Sequence, residues 1–303
     1  MPHCEAGHLK ITFWGVRGSI PSPGPRTVRY GGNTTCIEVE TDEGELIILD
    51  AGSGILGLAQ KLLKRLPVKC AIFFSHTHWD HIQGLPFFAP LFIPKNRIDI
   101  YGTFDPVSKR SIKEVLGRQM EYCYFPVREA ELKAEILYTT LYERQTIEIG
   151  RTKVTSILMN HPVLNFGYLI EGNGKTVFFT GDYEPLYNIY HPDDDSFGEY
   201  ARLISDQNAS LVNFIENVDV LIVDAAYTAD EYPLKRGWGH STCDAGISLA
   251  RMARAKSLYF THHEQLRSDD ELDAILIDLR KRYPIGPEFP PYRIAQEGLV
   301  IEL

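Results

Sequence analysis

The segment "CAIFFSHTHWDHIQGLPFF" constrains the fold more than any other part of the chain. An apolar run reads as a buried strand, and His76, His78, Asp80 and His81 follow it within six positions. One histidine beside a core is satisfied by a single hydrogen bond. Four such side chains crowded together are not, so the end of a buried strand must open onto a polar centre. On a loop, alternate positions point to one side, which lets His76 and His78 grip one ion while Asp80 and His81 turn toward another.

The same pattern recurs along the chain. His161 ends "KVTSILMNH", Asp182 ends "TVFFTGD" and His262 ends "SLYFTH", so several polar clusters sit at the C-terminal ends of apolar strands. Strand ends of this kind can converge on one edge of a sheet. Seven of the ten histidines (His76, His78, His81, His161, His240, His262 and His263) lie in these few places. Imidazole and carboxylate donors together suit zinc, manganese or iron.

The rest of the pattern supplies the scaffold. "LKITFWG" reads as a strand, and "CIEVE" and "ELIILD" as a hairpin around "TDEG". "ILGLAQKLLKRL" has helical apolar spacing. Residues 97–102 read as a strand and residues 105–120 as a helix capped near Asp105. "TIEIG" and "KVTSILMNH" follow, then a hairpin turning on "GNGK". The last third alternates strand and helix: "DVLIVDA", "AGISLARMARA", "SLYFTHH", a helix opened by the Ser268–Glu271 capping box, and "GLVIEL". Hairpins early and alternating units late imply a sheet-rich α/β sandwich with helices outside. No linker composition divides residues 1–303, so one domain is expected, with insertions around 105–130 and 186–217.

The order of these motifs resembles the metallo-β-lactamase fold hydrolases, in particular their phosphodiesterase and tRNase Z branch. The likeness runs from "FWGVRGSIPSP" and "YGGNTTC" through "ILDAGSG" and the His/Asp motif to the final histidine pair. It implies a four-layer αββα sandwich with a dinuclear metal site on one edge of two facing sheets. Carried over by position, His76, His78 and His161 would hold one divalent ion, and Asp80, His81 and His262 the second, with Asp182 bridging. His262 is preferred to His263 because the "TH" strand ending resembles the ligand position of that branch. Asp50 would orient ligands, or else serve as a turn former or helix cap. The glycines of "DAGSG" and "YGGN" lack phosphate-loop spacing and read as turns.

Two further motifs, "LIVDAAYT" with Asp224 and "GHSTCDA" with His240, resemble the branch's acid pair at the leaving group. His240 would act as general acid with Asp224 as its partner, and Asp80 belongs to the same catalytic centre; a strand-end cap and a helix N-cap are the structural alternatives. Tyr227 and Trp238 either wall the pocket or pack.

Two ions roughly 3.5 Å apart can share a water and lower its pKa toward neutrality, which suits hydrolysis of a phosphodiester, thioester or amide. A protonated histidine favours the phosphodiester, whose leaving group is an alkoxide. The arm by which tRNase Z grips tRNA is not identifiable, and residues 186–217 carry an acidic "DDD" loop. A small phosphodiester such as a cyclic nucleotide is therefore the first expectation, its base stacked on an insertion aromatic such as those of "MEYCYFP". The alternatives are tRNA 3'-processing or another nucleic-acid phosphodiesterase, a thioester, lactone or β-lactam hydrolase, and a di-iron redox protein. Arg17 and Arg267 read as phosphate contacts or, more simply, as solvated surface arginines.

A formal charge of −9 over 303 residues argues against stable, non-specific nucleic-acid binding. No apolar run approaches the ~20 residues that span a bilayer, and the beginning lacks a signal-peptide pattern, so no membrane partner and a cytoplasmic location are expected. Five scattered cysteines without CxxC spacing read as reduced thiols. The branch is often dimeric, and the resemblance therefore admits a homodimer.

Overall fold

Residues 8–303 are described by a computed structural model, so Cys4 lies outside the described residues. Six apolar segments build most of one sheet: β1 (Leu9–Gly15), β2 (Cys36–Thr41), β3 (Leu46–Leu49), β4 (Lys69–Phe73), β5 (Arg97–Gly102) and β6 (Glu135–Thr140). The second sheet comprises β7 (Thr146–Ile149), β8 (Thr152–Met159), β9 (Asn165–Gly172), β10 (Lys175–Phe179), β11 (Val220–Asp224), β12 (Leu258–Thr261) and β13 (Tyr292–Ile294). The chain then returns as β14 (Val300–Glu302), antiparallel to β1 at the edge of the first sheet. The β9–β10 turn places Asn173 and Gly174 at φ 53° and 72°, the left-handed conformations that "GNGK" anticipates.

Apolar residues form three layers. Phe13, Phe73, Tyr168, Phe179 and Ile222 fill the space between the sheets. Ile48 and Ile72, on the outer face of the first sheet, pack with Leu58 and Leu62 of α1 (Ile55–Leu62). Phe178 and Phe260, on the outer face of the second, meet Ile247 of α5 and Leu272 and Leu279 of α6. Here α2 is Trp79–Ile82, α3 Ile112–Arg118, α4 Phe197–Phe214, α5 Cys243–Met252 and α6 Asp269–Arg282. Two mixed sheets between helices make the expected sandwich; truncating one of the buried phenylalanines to alanine would cost about 3–5 kcal/mol.

The helix expected from Asp105 begins instead at Ile112. Ser111 accepts from Glu114 N, while the Glu114 carboxylate accepts from Ser111 N, a complete capping box. Asp105 accepts from the Val107 and Ser108 amides and closes a turn before it. Strands β6 and β13 were not anticipated: β6 is an edge strand alternating exposed and half-buried residues, and β13 spans three residues.

Strand direction determines where the polar ends lie. β3 and β4 are parallel, as are β10, β11 and β12; β8 and β10 both run antiparallel to β9. Asp50, the His76–His81 loop, His161, Asp182, Asp224 and His262 therefore all leave strands at C-terminal ends. Asp50 and His262 take φ values of 60° and 59°, left-handed conformations that cost a non-glycine residue about 1–3 kcal/mol and concentrate at functional sites.

Candidate metal centre

Five strand ends and the loop before α5, which carries His240, bring all nine predicted site residues together. His76, His78, His161 and Asp182 form one group, and Asp80, His81, Asp182 and His262 a second; within each group, one donor atom per residue lies within 4.8 Å of the others. Asp182 belongs to both. Its Oδ2 lies 3.5 Å from His76 Nε2 and 3.8 Å from His161 Nε2, while its Oδ1 lies 3.2 Å from the Nε2 atoms of both His81 and His262.

These contacts are poor hydrogen bonds and good ligand sets. Buried His76 Nε2 and Asp182 Oδ1 have no hydrogen-bond partner. His161 Nε2 and His78 Nδ1 approach to 3.2 Å, and the Nε2 atoms of His81 and His262 to 3.4 Å. Orphaned donors and imidazole pairs aimed at common points fit two divalent ions with nitrogen and oxygen ligands.

The protein aligns each ring from behind. Asp50, fully buried, places Oδ2 2.8 Å from His81 Nδ1 and accepts from the amide and hydroxyl of Ser75, whose Oγ lies 3.1 Å from His76 Nδ1. It orients ligands and does not cap α1, whose N-cap is Gly54. His161 Nδ1 donates to Gly239 O at 2.9 Å, which leaves Nε2 facing the centre. Gly18 passes so close that a Cβ there would stand 2.2 Å from the His262 ring. His263 turns away, its Nε2 bonded to Ala295 O at 2.8 Å, and burial pushes it down to about 3.

The two groups differ electrostatically. Burial pulls the His76, His78 and His161 imidazoles down, His78 to about 4, so all three present neutral nitrogens. Burial acts the same way on His81 and His262, but the surrounding carboxylates overcome it and raise both. Protons therefore compete for the second group through neutral pH. Ion uptake by that group should release up to two protons, one from each raised imidazole, and strengthen with rising pH, while uptake by the first is nearly pH-independent. Calorimetric zinc titration of metal-free protein, in buffers of different ionisation enthalpy, reads both stages.

Beside the ion groups, His240 Nδ1 lies 2.8 Å from Asp224 Oδ2. Burial would lower this imidazole, but Asp224 and Asp182 raise it to about 9. The two structural alternatives hold beside this pair: Asp224 also caps its strand end, its Oδ2 accepting from the Tyr183 amide and its Oδ1 from the Ala226 amide, and of His240, Ser241 and Thr242 it is Thr242 that caps α5. The Tyr227 ring stands edge-on to His240, 5.9 Å between centroids; Trp238 is exposed with Lys235 3.9 Å above its ring.

Arg17 and Arg267 answer neither reading proposed for them. Arg17 is fully buried and donates to the carbonyls of Gly31, Glu264 and Arg267. Arg267 forms a two-pronged ion pair with Glu231, at 2.9 and 2.7 Å, and donates to Ala226 O. Both fasten loops around the centre.

Sequence reasoning missed Glu184. Buried two residues beyond Asp182 in "GDYEP", it accepts from Tyr232 Oη and the amides of Gly237 and Gly239 at 2.8–2.9 Å. Gly239 O holds His161, and His240 is the next residue, so one carboxylate fixes the backbone that positions both imidazoles. Glu184→Gln should lower kcat about 10–100-fold, with a larger loss for alkoxide than for aryl leaving groups; an equal loss for both would mark it as structural only.

Residues 46–263 match the family model described as the Beta-lactamase superfamily domain. Ribonuclease Z of Thermoplasma acidophilum is 24% identical over 304 aligned positions, covering 92% of this chain and 93% of that protein. Among solved structures, the metallo-beta-lactamase fold protein YhfI from Bacillus subtilis superposes with a TM-score of 0.65 at 20% identity, covering 98% of this chain and 99% of the other. The short form of human tRNase Z gives 0.63 at 20% identity, covering 96% and 98%. Among the described residues no helix is long and apolar enough to cross a membrane. The chain belongs to the β-lactamase superfamily and is a metal-dependent hydrolase with the metallo-β-lactamase fold.

Proposed function

We propose that this hydrolase is a dinuclear phosphodiesterase whose substrate is a small phosphodiester such as a cyclic nucleotide. The observation that carries the reading is the His240–Asp224 pair beside the shared carboxylate Asp182. Two divalent ions in the paired groups would lower the pKa of a shared water and draw charge from the attacked phosphoryl group. Asp182 keeps the two groups in register through its two oxygens, and Asp50 and Gly239 O hold imidazoles in position. His240 keeps Nδ1 on Asp224, so Nε2 is the atom that delivers a proton to the departing oxygen. Asp224 then stabilises the ring orientation needed for reprotonation. Such an acid matters most when the leaving group is an alkoxide.

The small substrate is supported by the net charge of −9 and by the exposed acidic turn Asp193–Asp195 ahead of α4. Cleavage of RNA is the second reading, favoured by ribonuclease Z relatives aligned across nearly the whole chain. The test is hydrolysis by zinc- or manganese-loaded protein of bis(p-nitrophenyl) phosphate, 2',3'- and 3',5'-cyclic nucleotides, a structured RNA precursor, a thioester and a β-lactam. Cyclic nucleotide turnover exceeding RNA cleavage is expected. Faster RNA cleavage would install the second reading, and activity confined to the thioester or lactam would discard both.

A further inference from the structure

Two adjoining clefts leave the metal centre on the side of His161. One, of about 470 Å³, runs from His161 and Asn160 past Tyr183 to Gln207 and Asn208 of α4. The other, of about 280 Å³, runs from the same His161 and Asn160 to Tyr187, Tyr200 and Gly237. Pro162 and Leu186 also line both, so together they make one groove of the size that holds a small organic ligand.

The wall formed by α4 is built unlike the other helices. Among its 18 residues only Leu211, near the C-terminal end, is buried. Phe197, Tyr200, Ile204 and Asn208 precede it at helical spacing and are half-buried, and of this stripe Tyr200 and Asn208 line the groove. Across from it stand Tyr187 and Glu184, whose carboxylate is taken up by Tyr232 and the Gly237 and Gly239 amides. The Arg236 guanidinium lies 4.9 Å from the Tyr187 ring centroid and backs that ring. Lys235 is the neighbouring residue, and His240 follows in the same loop.

Aromatic faces and amide side chains in one groove, with a guanidinium behind Tyr187, match a flat, hydrogen-bonding heterocycle joined to a phosphate. We infer that this groove is a nucleobase subsite: the base lies between Tyr187 and the α4 stripe, and the attached phosphodiester reaches the metal centre past His161. This deepens the phosphodiesterase reading and rests on it for the second half of that statement. The platform comes from residues 186–217, whereas the sequence pointed to the aromatics of "MEYCYFP". Of those, Phe125 packs edge-on against Phe87, 5.3 Å between centroids.

Two measurements test the subsite. In the first, Tyr187→Ala and Tyr200→Ala are assayed with adenosine 2',3'-cyclic phosphate and with methyl p-nitrophenyl phosphate, which carries no base. The preference in kcat/KM for the nucleotide should fall roughly tenfold, the scale of one lost base stack; an unchanged preference overturns the assignment. In the second, calorimetry compares adenosine 5'-monophosphate with ribose 5-phosphate, using wild-type protein without turnover. Tighter binding of the nucleotide, weakened in Tyr187→Ala, is expected. Equal binding of the two overturns the subsite whatever the hydrolysis assays give. Selective nucleotide binding by a metal-loaded protein that cleaves no diester keeps the subsite and overturns the phosphodiesterase reading. A dimer that Leu203→Glu dissociates, with adenosine 5'-monophosphate binding appearing only in the monomer, would show the groove to be covered by a second copy and overturn the assignment.

Discussion

Asp182→Ala should abolish diester hydrolysis and reduce bound metal from two ions per chain to one or fewer. The two oxygens of Asp182 serve different donor groups, so the substitution damages both sets, whereas loss of His78 or His262 damages one. The carboxylate is also held well below its usual range: burial would raise it, but His262, His81 and His76 dominate. Removing it takes counter-charge from the raised His81 and His262 imidazoles in a buried space, an arrangement that costs several kcal/mol unless they deprotonate or the site opens. Metal analysis by mass spectrometry, alongside initial rates, checks the outcome. An alanine variant retaining two ions and more than a tenth of the activity would sink the shared-carboxylate assignment. Asp182→Asn serves as the milder control, since it keeps the shape and one neutral oxygen donor.

His240→Ala should leave metal content intact and lower kcat about 10²–10⁴-fold for a substrate with an alkoxide leaving group, the usual scale for a general acid. With p-nitrophenolate, which departs without a proton, the loss should be within about tenfold. Asp224→Asn should separate the pair's two roles through pH. An acid works while protonated, below its pKa, and Asp224 helps raise His240 to about 9. Bound cations pull this value down, and losing Asp224 pulls it further, so the alkaline limb of the kcat profile moves to lower pH. A limb that stays in place, or equal losses for both leaving groups, would assign the pair to structure.

Much of the centre was legible because ligands differ chemically from what surrounds them. A histidine or aspartate ending an apolar strand stands out, and five separate strand ends did so. Their convergence was less legible, since the parallel pairing that sets Asp224 opposite Thr261, beside His262, is a property of two distant strands. Arg17 was misread for the same reason: its carbonyl partners lie 14, 247 and 250 residues away, and only the fold reveals that a charged side chain in "GVRGS" is enclosed. Glu184 carries no periodic signal, because its partners are the Tyr232 hydroxyl and two glycine amides some fifty residues away in sequence. At α3, a local signal was present and passed over: the Ser111–Glu114 box marked the start more strongly than Asp105 did. Short β13 and the half-exposed edge β6 lie below what alternation can distinguish from loop.

The spread of donors along the chain has a consequence for biosynthesis. A chain extended to Asp182, three residues beyond β10, carries His76, His78, His161 and Asp182, the whole of the first donor group. It lacks Asp224 and His240, and it lacks the His262 that completes the second group. A chain of that length would hold the residues of one candidate ion group while lacking the proposed leaving-group acid. On the proposed mechanism, hydrolytic competence requires β12 beside β11, the pairing that sets Asp224 next to His262, so synthesis through His262 would precede activity.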